Sequence, residues 1–154
     1  MDHDTLEELR QLKYRYLRSL DLKQWDGFAD TLTEDVHTNY GANLTFEGRD
    51  AVVEFMRASL GPAVITVHQV HHPEITIDGD CAIGRWYLED KVIITEHRML
   101  LTGAAFYDDT YRRSPDGVWR ISRTGYIRSY EAVQSLDDAP SWKLTANRWA
   151  TTDA

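Results

Sequence analysis

Of the 154 residues, only one is cysteine, four are proline and nine are glycine. A single thiol, Cys81, cannot close an intrachain disulfide, so nothing in the sequence calls for an oxidising compartment. It opens a strand-like run and reads as a small packing residue. Basic residues are also scarce: 17 Lys and Arg face 25 Asp and Glu, for a formal charge of -8 and a pI near 5.1. Nucleic acid and anionic membranes are both held by clustered cations. Here the basic residues come only as short pairs such as Arg112-Arg113, which argues against either partner. No apolar run approaches the roughly 20 residues of a membrane span. The N-terminus, Met1-Asp-His-Asp-Thr-Leu-Glu-Glu8, is acidic where a signal peptide is basic and then apolar. These absences predict a cytoplasmic protein. A Gly-rich phosphate loop and a Gly-x-Ser-x-Gly nucleophile elbow are missing too.

What remains is an ordinary globular composition, 42% hydrophobic and 27% charged. The length suits one domain over residues 1–154, with no internal repeat, low-complexity segment or linker. Asp4 or Thr5 can cap a first helix in which Leu6, Leu9, Tyr16, Leu17 and Leu20 share a stripe at helical period. Lys13 interrupts that stripe, which is odd for a plain core face. A short helix is predicted from Trp25 to Leu32, ended by Thr33-Glu34-Asp35. Short strands follow at 36–40 and 44–47, and a third helix at 49–60 stops at Gly61-Pro62. The second half changes period. Long strands are predicted over 65–78, 81–95, 99–113 and 118–130, with turns at Asp78-Gly79-Asp80 and Ser114-Pro-Asp-Gly117. Helices first and a meander afterwards give an α+β domain with helices on one face of a curved antiparallel sheet. The tail from 132 to 154 is polar and irregular, with Trp142 and Trp149 expected to clamp onto the body or a partner chain.

Several motifs fix the order further: Tyr16-x-x-x-x-Asp21, Trp25-Asp-Gly-Phe28, Gly48-Arg-Asp-Ala-Val52, and a histidine, His68, on the next strand. Ile75-Thr-Ile-Asp-Gly-Asp-Cys-Ala82 follows, and the run closes on Asp116-Gly-Val-Trp-Arg-Ile-Ser-Arg-Thr-Gly-Tyr-Ile-Arg128. Over residues 5–131 this resembles the SnoaL-like branch of the nuclear-transport-factor-2-like superfamily. The resemblance implies a cone-shaped α+β barrel, its curved sheet wrapped around the N-terminal helices over a deep apolar cavity. It also implies a homodimer or homotrimer packed through the sheet's outer face. Within the branch, the match is to the group of scytalone dehydratase, bile acid 7α-dehydratase and hexachlorocyclohexane dehydrochlorinase. That group carries a carboxylate at the end of the first helix and a histidine on the first long strand, here Asp21 and His68. Its dehydratases add a tyrosine, here Tyr16. An arginine late in the last strand and an acidic residue on the second long strand match Arg128 and Asp90.

These residue types suit β-elimination. Histidine, with an unperturbed pKa of about 6.5, is a base near neutral pH, and a carboxylate on its other ring nitrogen fixes the tautomer. Tyr16 is assigned to polarise a carbonyl or protonate the departing hydroxyl, and Arg128 to stabilise enolate charge. In general a strand histidine is a packing or surface residue, and a carboxylate at a helix end is a cap, so geometry must decide. Trp25, Phe28, Tyr40, Phe55, Trp86, Leu88, Phe106 and Tyr126 are the candidate walls for a small hydrophobic molecule, with Tyr87 and Met99 further possibilities. Strand alternation puts His71 and His72 on opposite faces, so no metal site is predicted, and the chemistry is expected to need no cofactor. The leading reading is a dehydratase-type lyase for a small polycyclic or aromatic hydroxy-ketone. The alternatives are an isomerase or polyketide cyclase, and a non-catalytic ligand-binding protein or a small subunit of a ring-hydroxylating dioxygenase.

Overall fold

The computed structural model describes residues 3–150. Helices α1 (His3–Asp21) and α2 (Trp25–Asp30) are followed by two short strands, β1 (Leu32–Asn39) and β2 (Thr45–Glu47), and then by helix α3 (Arg49–Ser59). Four long strands follow: β3 (Val64–Asp78), β4 (Cys81–Ile94), β5 (Met99–Arg113) and β6 (Trp119–Ser135). The six form one curved, unclosed sheet in the order β2-β1-β6-β5-β4-β3. The long strands are an antiparallel meander, while β1 runs parallel to β6. This is the α+β cone expected from the sequence.

The apolar stripe of α1 drives its packing. Leu9, Leu12, Tyr16, Leu17 and Leu20 are all buried, together with Phe28, Val52 and Met56 of the other helices. Lys13 lies in the same stripe and is fully buried, paired with Asp109 at 2.8 Å. Asp109 also accepts hydrogen bonds from the hydroxyls of Tyr111 (2.9 Å) and Thr124 (2.6 Å). Tyr111 in turn accepts from the indole N–H of Trp86 at 2.9 Å. The polar residue that breaks the stripe is therefore a pin between α1 and β5.

Several boundaries differ from expectation. Thr33, Glu34 and Asp35 belong to β1, because the chain is already extended from Leu32, whose side chain is buried. Strand β6 continues past Tyr130 to Ser135, since the start of β5 supplies ladder partners as far as Met99↔Ser135. The tail then makes a 3-10 turn at Leu136–Asp138, tied by Arg98 to Asp137 at 2.6 Å. Trp149 lies back on the body, with the Lys23 ammonium 5.0 Å from its ring centre.

Register irregularities matter more for the site. Between His71 and Glu74 the β3–β4 ladder slips, and His72 takes φ +25°. The strict alternation assumed for this strand therefore fails: the rings of His71 and His72 stack at 6.3 Å, and both residues are exposed. In β6, slips opposite Thr110/Tyr111 and Ala104/Ala105 leave one extra residue each, a bulge that inverts side-chain parity. The first is why Thr124, Tyr126 and Arg128 turn inward after Trp119 and Ile121, which carry the opposite parity. The outer face carries exposed Tyr87, Phe106, Ile127 and Tyr130.

Candidate active site

Helix α1 ends on Asp21, and its termination is a Schellman motif. The Gln24 N–H bonds to the Ser19 carbonyl at 2.8 Å, and the Lys23 N–H to that of Leu20 at 3.1 Å. Lys23 takes the left-handed φ of 57° usually given to glycine. Its ammonium holds the strain by donating to the Val64 carbonyl at 2.7 Å. This stop turns Asp21 toward β3 even though Tyr16, five residues earlier, is about 140° away on an ideal helix.

A carboxylate at a helix C-terminus faces the negative end of the macrodipole, so Asp21 needs donors, and β3 supplies three. The Thr66 hydroxyl donates to Oδ1 at 2.8 Å, the His68 backbone N–H to Oδ2 at 2.9 Å, and His68 Nδ1 lies 2.7 Å from Oδ1. With Nδ1–H donating to the carboxylate, the lone pair of the imidazole sits on Nε2. Its side chain is only 13% exposed.

His68 forms part of the wall of a cavity of about 210 Å³. Leu20, Leu44, Phe55, Met56, Leu60, Val92 and Leu101 supply its apolar surface. Its polar side is made by Tyr16, Tyr40, Tyr107, Tyr126, Thr66, Asp90 and Arg128. Asp21 is not in this wall; it stands behind His68, beside an outer groove lined by Tyr14, Leu17 and Arg18. The Tyr16 and Tyr40 hydroxyls are 2.5 Å apart, and burial pushes both phenols above their ordinary value, so both remain neutral hydrogen-bond donors.

Arg128 reaches across the sheet and grips Asp90 with both terminal nitrogens, Nη2 to Oδ2 at 2.9 Å. Its Nε lies 3.3 Å from Glu131 Oε2. The hydrogen bond to Asp90 raises the Arg128 pKa, so the group stays charged.

The other proposed walls lie elsewhere. Phe28 is core, packed on Tyr16 at 5.0 Å, and Trp25 meets Phe28 edge-on. Trp86 and Leu88 point inward with the parity of Asp90, but they pack with Ala105 and Tyr107 in a separate buried cluster. Phe106 has the opposite parity and meets Tyr87 edge-on outside. Tyr107 was missed, although its alternation with Ala105 on β5 marks it as inward. Leu101 and Val92 were also missed, having no aromatic signal to single them out. Among the described residues no three His, Cys, Asp or Glu side chains gather as metal ligands, and no helix is long and apolar enough to cross a membrane.

The buried phenols and Lys13 have a measurable consequence. Tyr16, Tyr40, Tyr107 and Tyr111 all have raised pKa values through burial. Above about pH 10 the unfolded chain releases phenolic protons that the native state keeps, so stability falls as pH rises, by up to about 1.4 kcal/mol per pH unit for each phenol. Lys13 is shifted down by burial and acts oppositely below its ordinary pKa of 10.5, where the unfolded chain binds the extra proton. Urea unfolding is expected to show a stability that turns over near pH 10 and then drops steeply. A flat profile from pH 9 to 11 would contradict this reading.

A cone of helices in a curved sheet, enclosing a small cavity with a carboxylate-held histidine in its wall, defines the class of protein. The chain belongs to the SnoaL-like domain family, whose model matches residues 3–125. An uncharacterised protein of Mycobacterium tuberculosis is 27% identical over 128 residues, covering 82% of this chain and 86% of that one. Among solved structures, a hexachlorocyclohexane dehydrochlorinase (LinA, type 2) superposes with a TM-score of 0.78 at 20% identity, covering 85% of this chain and 89% of the other. A putative scytalone dehydratase from Novosphingobium aromaticivorans also gives 0.78, at 18% identity, covering 95% and 93%. At these identities the structural likeness speaks for the fold.

Proposed function

We propose that the chain is a cofactor-independent lyase of the dehydratase type, acting on a small, neutral, single-ring hydroxy-ketone. The observation that carries this is the three-donor seat of Asp21 behind His68. A helix-end carboxylate held by Thr66 and by the backbone and ring of His68 orients an imidazole that forms part of the cavity wall. In the reaction, Nε2 takes the proton α to the ketone and the C–H electron pair moves into the enolate. The Tyr16–Tyr40 hydroxyl pair donates to the enolate oxygen. The enolate then expels the β-hydroxyl, which leaves as water after taking the proton back from His68. The product is an enone, and the enzyme returns to its starting protonation. The isomerase reading uses the same base and donors without the leaving group.

Size narrows the substrate. A volume near 210 Å³ holds about seven waters' share of liquid and falls below the roughly 300–1,000 Å³ of drug-sized pockets. That volume favours one ring with its substituents over a tetracyclic steroid, the smaller end of the expectation. The exposed free thiol of Cys81 fits work in the reducing cytoplasm.

A thermal-shift panel tests this. Single-ring aromatic β-hydroxy-ketones are expected to stabilise the protein, by about 2.7 kcal/mol at 100-fold over Kd, and to yield enone absorbance on incubation. Hydroxysteroids are expected to do neither. Stabilisation by hydroxysteroids alone would overturn the size assignment, and stabilisation without any enone would favour the binding-protein reading.

A further inference from the structure

We propose that Asp90 is a charge-selecting residue that occupies the Arg128 guanidinium and thereby keeps carboxylate-bearing ligands out of the cavity. This rests on the reading above that the cavity is the substrate site, and it deepens that reading by naming what the site refuses.

An arginine in a small apolar cavity would ordinarily be an anion receptor, because its planar fork matches a carboxylate. Here the fork is already filled. Asp90, on β4, takes both terminal nitrogens, and its side chain is only 3% exposed. Glu131 adds a second carboxylate at the Nε edge, more exposed and therefore weaker. One cation between two carboxylates leaves this end of the cavity net negative. A ligand carboxylate would have to displace a buried, bidentate partner or sit beside it as a like charge, which is discrimination by repulsion.

The backbone is shaped for this pairing. Arg128 and Asp90 are separated by β5, and the β5 residue in register with Asp90 is Gly103. A Cβ there would lie 3.1 Å from both Arg128 Cζ and Asp90 Oδ1, and closer still to Nη1. The guanidinium crosses the strand through the space that the missing side chain leaves. The bulge in β6 that turns Arg128 inward completes the device. Among the described residues Arg128 is the one Lys or Arg side chain in the cavity wall, so no second permanent cation compensates there.

Acetophenone and benzoate, matched in size and differing in charge, are suitable probes for calorimetric titration. Wild type is expected to bind acetophenone and to bind benzoate at least about tenfold more weakly. Asp90→Asn frees the guanidinium, and should raise benzoate affinity at least about tenfold, with a salt dependence absent for acetophenone. Adding Arg128→Met to that variant should abolish the gain. Equal wild-type affinity for the two probes overturns the proposal, and needs no variant to fold. A benzoate-to-acetophenone ratio indifferent to Asp90→Asn overturns it as well, while leaving the cavity as the substrate site. Failure of acetophenone to bind at all removes both readings.

Discussion

His68→Ala is expected to lower turnover of a true hydroxy-ketone substrate by about 100- to 10,000-fold, the range that a positioned general base contributes. The ring is 13% exposed and belongs to no apolar cluster of the core, so the fold should survive and thermal unfolding should move little. If Nε2 removes the proton only in the transition state, kcat and kcat/KM fall together while KM stays near its wild-type value. Asp21→Asn probes the same chain of contacts from behind. An amide whose oxygen accepts from the His68 backbone N–H turns its NH2 toward Nδ1 and so inverts the tautomer, putting the proton on the nitrogen that must be bare. It should cost nearly as much as removing the imidazole, and the double variant should be scarcely worse than either single one, because the two act as a unit. Single-turnover assays on purified variants measure this. Turnover unchanged in His68→Ala sinks the base assignment, and strict additivity with Asp21→Asn sinks the coupling.

The pairing behind that prediction is legible in the sequence only through the resemblance to the SnoaL-like dehydratase group. Asp21 and His68 stand out by residue type and position, but what brings them together is Lys23 in a left-handed conformation, where a glycine would have announced the helix stop. The inward turn of Arg128 depends on a bulge in β6. Bulges leave almost no mark in a sequence of alternating residues, so period-2 reasoning carries correctly only up to the first one. The same cause misplaced His71 and His72 on opposite faces. Parity alone would have placed Phe106 outside, opposite Tyr107 on the same strand. Trp86 and Leu88 show a different limit: they face inward with Asp90, but depth along β4 decides that they meet Tyr111 and Tyr107 instead of the cavity. Periodicity gives a side chain's face, never its height along the cone. Fold class is more robust because it rests on many weak signals that agree. The parallel contact between β1 and β6 is the exception, since it joins segments about 85 residues apart with no local signature.

Lys13→Met is expected to destabilise the protein by about 3–5 kcal/mol, the cost of leaving one partner of a buried ion pair uncompensated. The stem of Lys13 is replaced almost isosterically by methionine, so cavity formation adds little. What remains is Asp109, 1% exposed, with hydrogen bonds from Tyr111 and Thr124 but no cation. For a chain of this size the loss corresponds to a fall of roughly 6–20 °C in Tm. Asp109→Asn should cost a similar amount, since it strands the ammonium between the rings of Tyr107 and Tyr16, 3.4 and 4.9 Å from their centres. The double variant Lys13→Met/Asp109→Asn discriminates the ion pair from plain packing. It removes both charges while the amide oxygen still accepts from Thr124, and it should recover at least half of the summed single losses, a coupling of about 3 kcal/mol or more. Urea unfolding measures it, and additive losses would mean that the two residues act independently. The pair fixes α1 against β5 one helical turn before Tyr16 and two turns before Asp21. The single variants should therefore also loosen the seat of Asp21, with kcat falling below what the remaining folded fraction accounts for, and the double variant should restore both together.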